Sequence, residues 1–353
     1  MRIGLIIYGS LETLSGGYLY DRKLVEFLRS QGDTVDIISL PWRNYAAHLL
    51  DNLRFRLPAN LDILIQDELN HPSLIFANRG THAYPVISLI HHLRCSELRP
   101  KWQNAFYAWL ERKYLQSVDG FIFNSKTTRH VVRELVSQEK PSVLAYPPTD
   151  RFGDPISEKE IIERAKSEEF RILFVGNVIH RKGLHTLLRA LCMQRSGFRV
   201  DVIGSLASEP GYAHHIQKYI THNQLSSIVF LHGPLDREPL IEKLKQAHLL
   251  VVPSSYEGFG IVYLEGMCFG LPAIGTRAGA ANEIISPGVD GFLIQPEDAE
   301  ELAEKLKVLH ENRETLLQMS LAARDRYLRQ PKWEETAVRI REFLLKRIDE
   351  FSV

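Results

Sequence analysis

Short apolar, β-branched runs alternate with helix-length amphipathic stretches along almost the whole chain, and this alternation limits the fold more than any other feature. Residues 2–8 (RIGLIIY) are the first run. Gly16 and Gly17 then open a helical pattern through Leu24, Phe27 and Leu28 that stops near Gly32. Residues 34–40, 61–66, 85–90, 121–124 and 142–145 continue the series, with helix-length segments between them. Parallel strands need long crossovers, usually helices, and strands covered on both faces read as continuous apolar runs. The repetition therefore predicts parallel sheets with helices on both sides.

Residues 146–155 (YPPTDRFGDP) interrupt the pattern. Three prolines and a glycine suit neither a helix interior nor a central strand, so this stretch reads as an interdomain connector. The alternation then restarts, with strands at 171–175 and 199–203 around a helix at 184–193. Further strands are expected at 228–231, 248–252, 272–275 and 292–294. After Pro296 the chain reads as helix, broken at Gln330-Pro331. The length of 353 residues exceeds the roughly 250–300 at which single cores stop growing. Two doubly wound α/β domains are expected, 1–149 and 150–330.

Composition narrows the partners. The 43 basic and 43 acidic side chains balance, which argues against a nucleic-acid binder, whose affinity rests on neutralising many phosphates. Any anion must be small and held locally. Three scattered cysteines, Cys95, Cys192 and Cys268, fit neither a disulfide framework nor a thiolate metal site. No run reaches the ~18–20 apolar residues of a membrane span, and the N-terminus reads as a buried strand rather than a signal peptide. A cytoplasmic protein is the expectation. Residues 101–114 (KWQNAFYAWLERKY) combine five aromatics with basic residues. They read either as a helix packing its aromatics on the sheet, the favoured reading, or as peripheral contact of the N-terminal domain with the inner face of a membrane.

The chemistry gathers in three glycine-containing loops between an expected strand and helix: Ser15-Gly16-Gly17, 176–183 (GNVIHRKG) and 257–260 (EGFG). Helix N-termini at the carboxyl ends of strands offer unpaired amides and a positive dipole to anions. Arg181 and Lys182 precede Gly183 and a helix start, where a purely structural cation pair would oppose the dipole. A phosphate partner fits better. In the third loop Glu257 precedes a helix and Glu265 lies inside it. Two carboxylates so spaced suit the hydroxyls at the two ends of a polyhydroxylated ligand, with phosphates over the amides of Gly260, Ile261 and Val262. A nucleoside diphosphate sugar has that shape.

The element Glu257–Glu265, followed by Gly266-Met267-Cys268-Phe269-Gly270-Leu271-Pro272, resembles the Glu-x₇-Glu signature of the retaining GT-B glycosyltransferases of family four (glycosyl transferases group 1). Gly16-Gly17, His91, Gly204, Gly233, Pro253-Ser254, Gly279 with Glu283, Gly291 and Trp333 match further landmarks in order. The resemblance implies two doubly wound Rossmann-like domains facing each other across a cleft, the terminal helix, about 331–353, crossing back to complete the first. It implies that Glu257 and the amides of Phe259 and Gly260 bind donor-sugar hydroxyls, and that Ile261 and Val262 meet the diphosphate with Arg181 and Lys182. Glu265 would hold the ribose, Gly16 and Gly17 would approach the phosphates from the first domain, and Gly233, Pro234 and Leu235 would lie where the base is read. Gly176, Asn177, Gly204 and Gly258 complete the donor set. His91 would sit beside the donor sugar, and His91, Arg181, Lys182 and Glu257 are the catalytic candidates. Asn177 stands where the family often has arginine, and the doubled His91-His92 leaves one histidine to choose by strand alternation, which favours His91.

Transfer of a sugar from a UDP-sugar or GDP-mannose to a hydroxyl acceptor, with retention, is what the resemblance implies. The chain has no Asp-x-Asp triplet, so charge stabilisation falls to Arg181, Lys182 and helix N-termini, with no metal or other cofactor expected. A sugar-nucleotide epimerase and a non-catalytic two-lobed binding protein are the alternatives. Asp67, Glu68, Tyr84, Arg94 and Glu97 are candidate acceptor contacts, each more simply read as surface or structural.

Overall fold

A computed structural model describes all residues except Leu14, Thr81, Thr149, Arg195, Ser196, Ser352 and Val353. Thr149 of the expected connector and the last two residues of the expected terminal helix thus lie outside the described residues. The chain divides into two compact units, Met1–Pro148 with Pro331–Val353, and Thr149–Gln330.

The first unit is built on six parallel strands: β1 Arg2–Tyr8, β2 Thr34–Leu40, β3 Ile63–Asp67, β4 Val86–Ile90, β5 Gly120–Phe123 and β6 Ser142–Leu144. Their order is β2-β1-β3-β4-β5-β6, with Ile3 opposite Val35 and Ile63, and Leu64 opposite Val86. Helix Gly16–Ser30 starts where the Ser15 hydroxyl accepts the Tyr18 amide at 3.3 Å. Its buried face, Tyr20, Leu24 and Leu28, shares one core with Trp333, Ala337, Ile340 and Leu344 of helix Trp333–Phe351. The Trp333 indole donates to the Lys23 carbonyl at 3.0 Å, and the Thr336 hydroxyl to that of Tyr146 at 2.9 Å.

Two readings change here. The third strand starts later than expected and runs on through Asp67. Asp62 turns the chain by accepting the Arg2 amide at 2.6 Å, and the ladder continues through polar Gln66 and Asp67 because backbone pairing does not require apolar side chains. Helix Lys101–Leu115 buries Leu110, Glu111, Tyr114 and Leu115, whereas Trp102, Phe106 and Trp109 point away from the core. The expected packing of this helix's aromatics on the sheet is thus limited to Tyr114.

The second unit repeats the plan with β7 Phe170–Val175, β8 Phe198–Ile203, β9 Val229–Gly233, β10 Leu249–Val251, β11 Ala273–Thr276 and β12 Gly291–Ile294. The order is β12-β11-β10-β7-β8-β9. The chain winds outward from β7 through β8 and β9, then returns to the other side of β7 at β10. The loops after β7 and β10 therefore flank a topological switch point, where open α/β sheets bind ligands. In the first unit the loops after β1 and β3 hold the same position. After Pro296 the expected break at Gln330-Pro331 is found, and a further one at Asn312 divides the preceding run, giving helices Ala299–Glu311, Arg313–Leu328 and Trp333–Phe351. No helix among the described residues is long and apolar enough to cross a membrane.

Candidate functional site

At the switch point of the second unit the loops after β7 and β10 are locked together by backbone. Gly183 has φ +71°, and a Cβ there would lie 2.0 Å from the Pro253 carbonyl oxygen. The Ser255 amide donates to the Arg181 carbonyl at 2.8 Å. At the neighbouring strand ends a Cβ on Gly204 would lie 2.0 Å from the Gly176 carbonyl oxygen. The Gly204 amide donates to the carbonyl of Gly233, which ends β9. Asn177 is no substitute for a charge: its Oδ1 accepts the Ser205 amide at 3.3 Å and ties these turns together. Pro234 is exposed and Leu235 half-buried just beyond.

This framework carries a buried carboxylate between two cations. Glu257 is 6% exposed; Lys182 Nζ donates to its Oε1 at 2.6 Å, the Ser254 hydroxyl donates to the same oxygen at 2.6 Å, and Arg181 Nη1 stands 3.7 Å from Oε2. Burial by itself raises a carboxyl pKa. Lys182 and Arg181 outweigh it and bring Glu257 down to about 2. Burial pulls the Lys182 ammonium down from its usual range, and Glu257 opposes that pull. Arg181 also donates to the Tyr256 carbonyl at 2.9 Å, so its guanidinium is held by backbone as well as charge.

Gly279 explains why the Glu257 backbone sits where it does. Its φ is +80°, a Cβ there would meet the Glu257 carbonyl oxygen at 2.1 Å, and the Ala280 amide donates to that carbonyl at 2.9 Å. Gly258 and Phe259 lead to Gly260, whose φ of +92° turns the chain into helix Ile261–Cys268. The Ile261 and Val262 amides fall in the first turn, which has no intrahelical acceptors for them. Glu265, 7% exposed, faces Arg151, which donates to it at 2.6 Å. Arg151 lies in the proline-rich connector, where composition signals a turn and hides a charge partner.

In the first unit Gly17 packs against His91, whose Cδ2 would lie 3.4 Å from a Cβ at that position. His91 Nε2 is 2.8 Å from Oδ1 of fully buried Asp21. Burial opposes an imidazolium, but Asp21, with Asp67 and Glu68 behind it, raises His91 to about 9. His92 turns instead to Glu97, at 2.8 Å. Gly16 is the first residue of its helix. Asp67 and Glu68 are interior rather than surface groups, raised by burial to about 7 and about 8. Tyr84 is buried and donates to the Pro58 carbonyl, while Arg94 lies between the Tyr45 and Tyr107 rings. Sequence reasoning missed Asp21, because a single acid on an amphipathic helix reads as solvated.

Among the described residues three groups bring His and carboxylate atoms close enough to share a cation: Asp21, Asp67 and His91; Glu68, His71 and Glu111; and His180, His185 and Glu297. None includes Glu257 or Glu265.

Comparison with known proteins bears on both units. Residues 156–326 match the family model described as glycosyl transferases group 1. An uncharacterised glycosyltransferase of Methanocaldococcus jannaschii is 30% identical over 184 residues, 52% of this chain and 50% of that protein. The chain spans about half the length of the curated relatives it matches. Sucrose-phosphate synthase from Thermosynechococcus elongatus superposes with a TM-score of 0.83 at 20% identity, covering 99% of both chains. Anabaena HepE in complex with UDP-glucose gives 0.74 at 17%, covering 98% of this chain and 100% of that one. The two parallel six-stranded sheets with flanking helices, taken with these likenesses, are the two-domain α/β GT-B fold.

Proposed function

We propose that the chain is a metal-independent, retaining glycosyltransferase of family four that moves a sugar from a nucleoside diphosphate sugar to a hydroxyl acceptor. The observation that carries this reading is Glu257, buried and ionised between Lys182 and Arg181, immediately before the amides that open helix Ile261–Cys268. Two cations against one carboxylate leave net positive charge beside a helix N-terminus, which is what a diphosphate needs. Glu257 accepts hydroxyls of the transferred sugar, and Glu265 accepts those of the ribose in exchange for Arg151. The turn after β9 faces the base.

In the reaction the bond from the anomeric carbon to the β-phosphate oxygen breaks, and the acceptor oxygen forms its bond on the same face. The acceptor proton passes to a donor phosphate oxygen. Arg181, Lys182 and the Ile261 and Val262 amides stabilise the departing diphosphate, and no protein nucleophile is required. UDP-sugars are the first donors to test, since the UDP-glucose complex of HepE shares the fold; GDP-mannose is the second. UDP in chelator should raise the midpoint of thermal unfolding, by linkage to binding of the folded state alone. A stabilisation that appears only with Mg²⁺ or Mn²⁺ would overturn the charge assignment.

A further inference from the structure

The first unit carries a face that its own fold leaves uncovered. On helix Lys101–Leu115 the residues Trp102, Phe106 and Trp109 follow at four- and three-residue spacing along the outside, 71%, 46% and 55% exposed. The outer face of a helix packed on a domain is ordinarily polar. Tyr107 meets Tyr45 edge-on, ring centres 5.1 Å apart, which joins this helix to helix Tyr45–Asp51. Asn52, after that helix, accepts the Phe76 amide and donates to the Pro72 carbonyl. This helical layer also exposes Leu53 and Phe76, each more than half accessible. Trp333 is the buried tryptophan of the chain; Trp102 and Trp109 stand on helix Lys101–Leu115, and Trp42, also more than half accessible, lies in the loop after β2, beside the Tyr8 and His48 rings.

Charge decides what such a surface fits. The chain as a whole is neutral, yet segments 41–57 and 97–116 together hold seven basic residues against three acidic ones; Glu111 is buried, and Asp51 and Glu97 pair with Arg43 and Arg99. Lys113 lies 5.9 Å from the centre of the Trp109 ring, so cation and indole share one surface. A second copy of the chain seated on this face would set basic residues against basic residues. Exposed indoles beside lysine and arginine match the boundary between lipid headgroups and acyl chains, where the ring is buried and the cation meets lipid phosphate.

We propose that this face docks the first unit on an anionic lipid surface. The inference does not depend on the sugar-transfer reading. The test is co-sedimentation of the full chain with vesicles of phosphatidylcholine alone, or with about one third phosphatidylglycerol, each Lys or Arg contributing about fivefold to the affinity. Binding to the anionic vesicles only, with a blue shift of tryptophan emission, is expected. The pair Lys101→Ala and Arg112→Ala should weaken binding about twentyfold, and Trp102→Ala with Trp109→Ala at least about tenfold. Both pairs are exposed and should leave the thermal midpoint unchanged. Failure to sediment with anionic vesicles, equal binding to neutral ones, or unaltered binding by both pairs would overturn the proposal. So would a lipid-free dimer that the tryptophan substitutions dissociate, which would assign the face to self-association.

Discussion

Glu257 and Glu265 sit at opposite ends of the same short segment and are held by different cations, which makes their contributions separable. Glu265→Ala should weaken binding of a bare nucleoside diphosphate by about tenfold, the scale of a charged hydrogen bond, because its ribose partner is present there. Glu257→Ala should leave that affinity within about threefold and reduce transfer, its partner being the hexose. Calorimetric titration with UDP reads the first and release of UDP from UDP-sugar reads the second; equal losses of UDP affinity would refute the proposed donor orientation. The spacing of these glutamates was legible in the sequence. Their bonded partners were not, since Lys182 in its glycine loop reads as a phosphate ligand and Arg151 lies in a connector. The acid cluster behind His91 was not legible at all. Asp21, Asp67 and Glu68 differ from solvated acids only by burial, yet they set a titration. His91 at about 9, Asp67 at about 7 and Glu68 at about 8 all stand above their ordinary values of 6.5, 3.8 and 4.5. Each contributes stability that is complete below its ordinary value and is lost as pH rises through the folded one. Unfolding of the first unit should therefore become easier from about pH 5 to about pH 9. Asp21→Asn should flatten the upper part of this fall by returning His91 toward its ordinary range. Denaturant titrations across that range check both, and a stability rising with pH would contradict the cluster.

Loops and helix starts show which glycines the architecture depends on. Gly32 and Gly183 both have positive φ, +79° and +71°, but a Cβ on Gly32 meets nothing within 4 Å whereas one on Gly183 meets the Pro253 carbonyl oxygen at 2.0 Å. Gly32→Ala should cost about 1–2 kcal/mol, the ordinary left-handed penalty. Gly183→Ala should cost several kcal/mol more, because the loops after β7 and β10 must separate, and it should also weaken UDP binding by moving Arg181 and Lys182. Chemical denaturation of the two variants decides this, and equal losses would show that Gly183 is needed for its φ alone. The sequence marks both positions as turns in the same way. It does not show that another backbone passes beside one of them. The ends of the strands have a related cause: Gln66 and Asp67 complete the β3 ladder with polar side chains, which a search for apolar runs passes over.

For the whole molecule, the restart of the strand–helix pattern after residue 155 was sufficient to read two sheets, because buried parallel strands announce themselves by continuous apolar runs. The strand orders, and therefore the switch points, come from pairings between distant segments and are not visible in local composition. The return of the C-terminal helix to the first unit is also nonlocal. Trp333, Ala337, Ile340 and Leu344 are buried against Tyr20, Leu24 and Leu28, more than three hundred residues earlier. Burying side chains of this size contributes about 1.5–3 kcal/mol for each of the larger ones, comparable in sum to the ~5–15 kcal/mol that holds a typical domain. Arg341 adds a bond of 2.7 Å to buried Asp33, which also holds the N-terminal ammonium at 3.0 Å. Ending the chain after Gln330 should therefore unfold the first unit while leaving the second, which carries every candidate donor residue except Gly16 and Gly17, able to bind UDP. Calorimetry of the truncated protein should show one transition that UDP still moves upward. If both transitions survive, the terminal helix is dispensable to the core it fills; if UDP no longer shifts the remaining one, the second unit does not hold the nucleotide on its own.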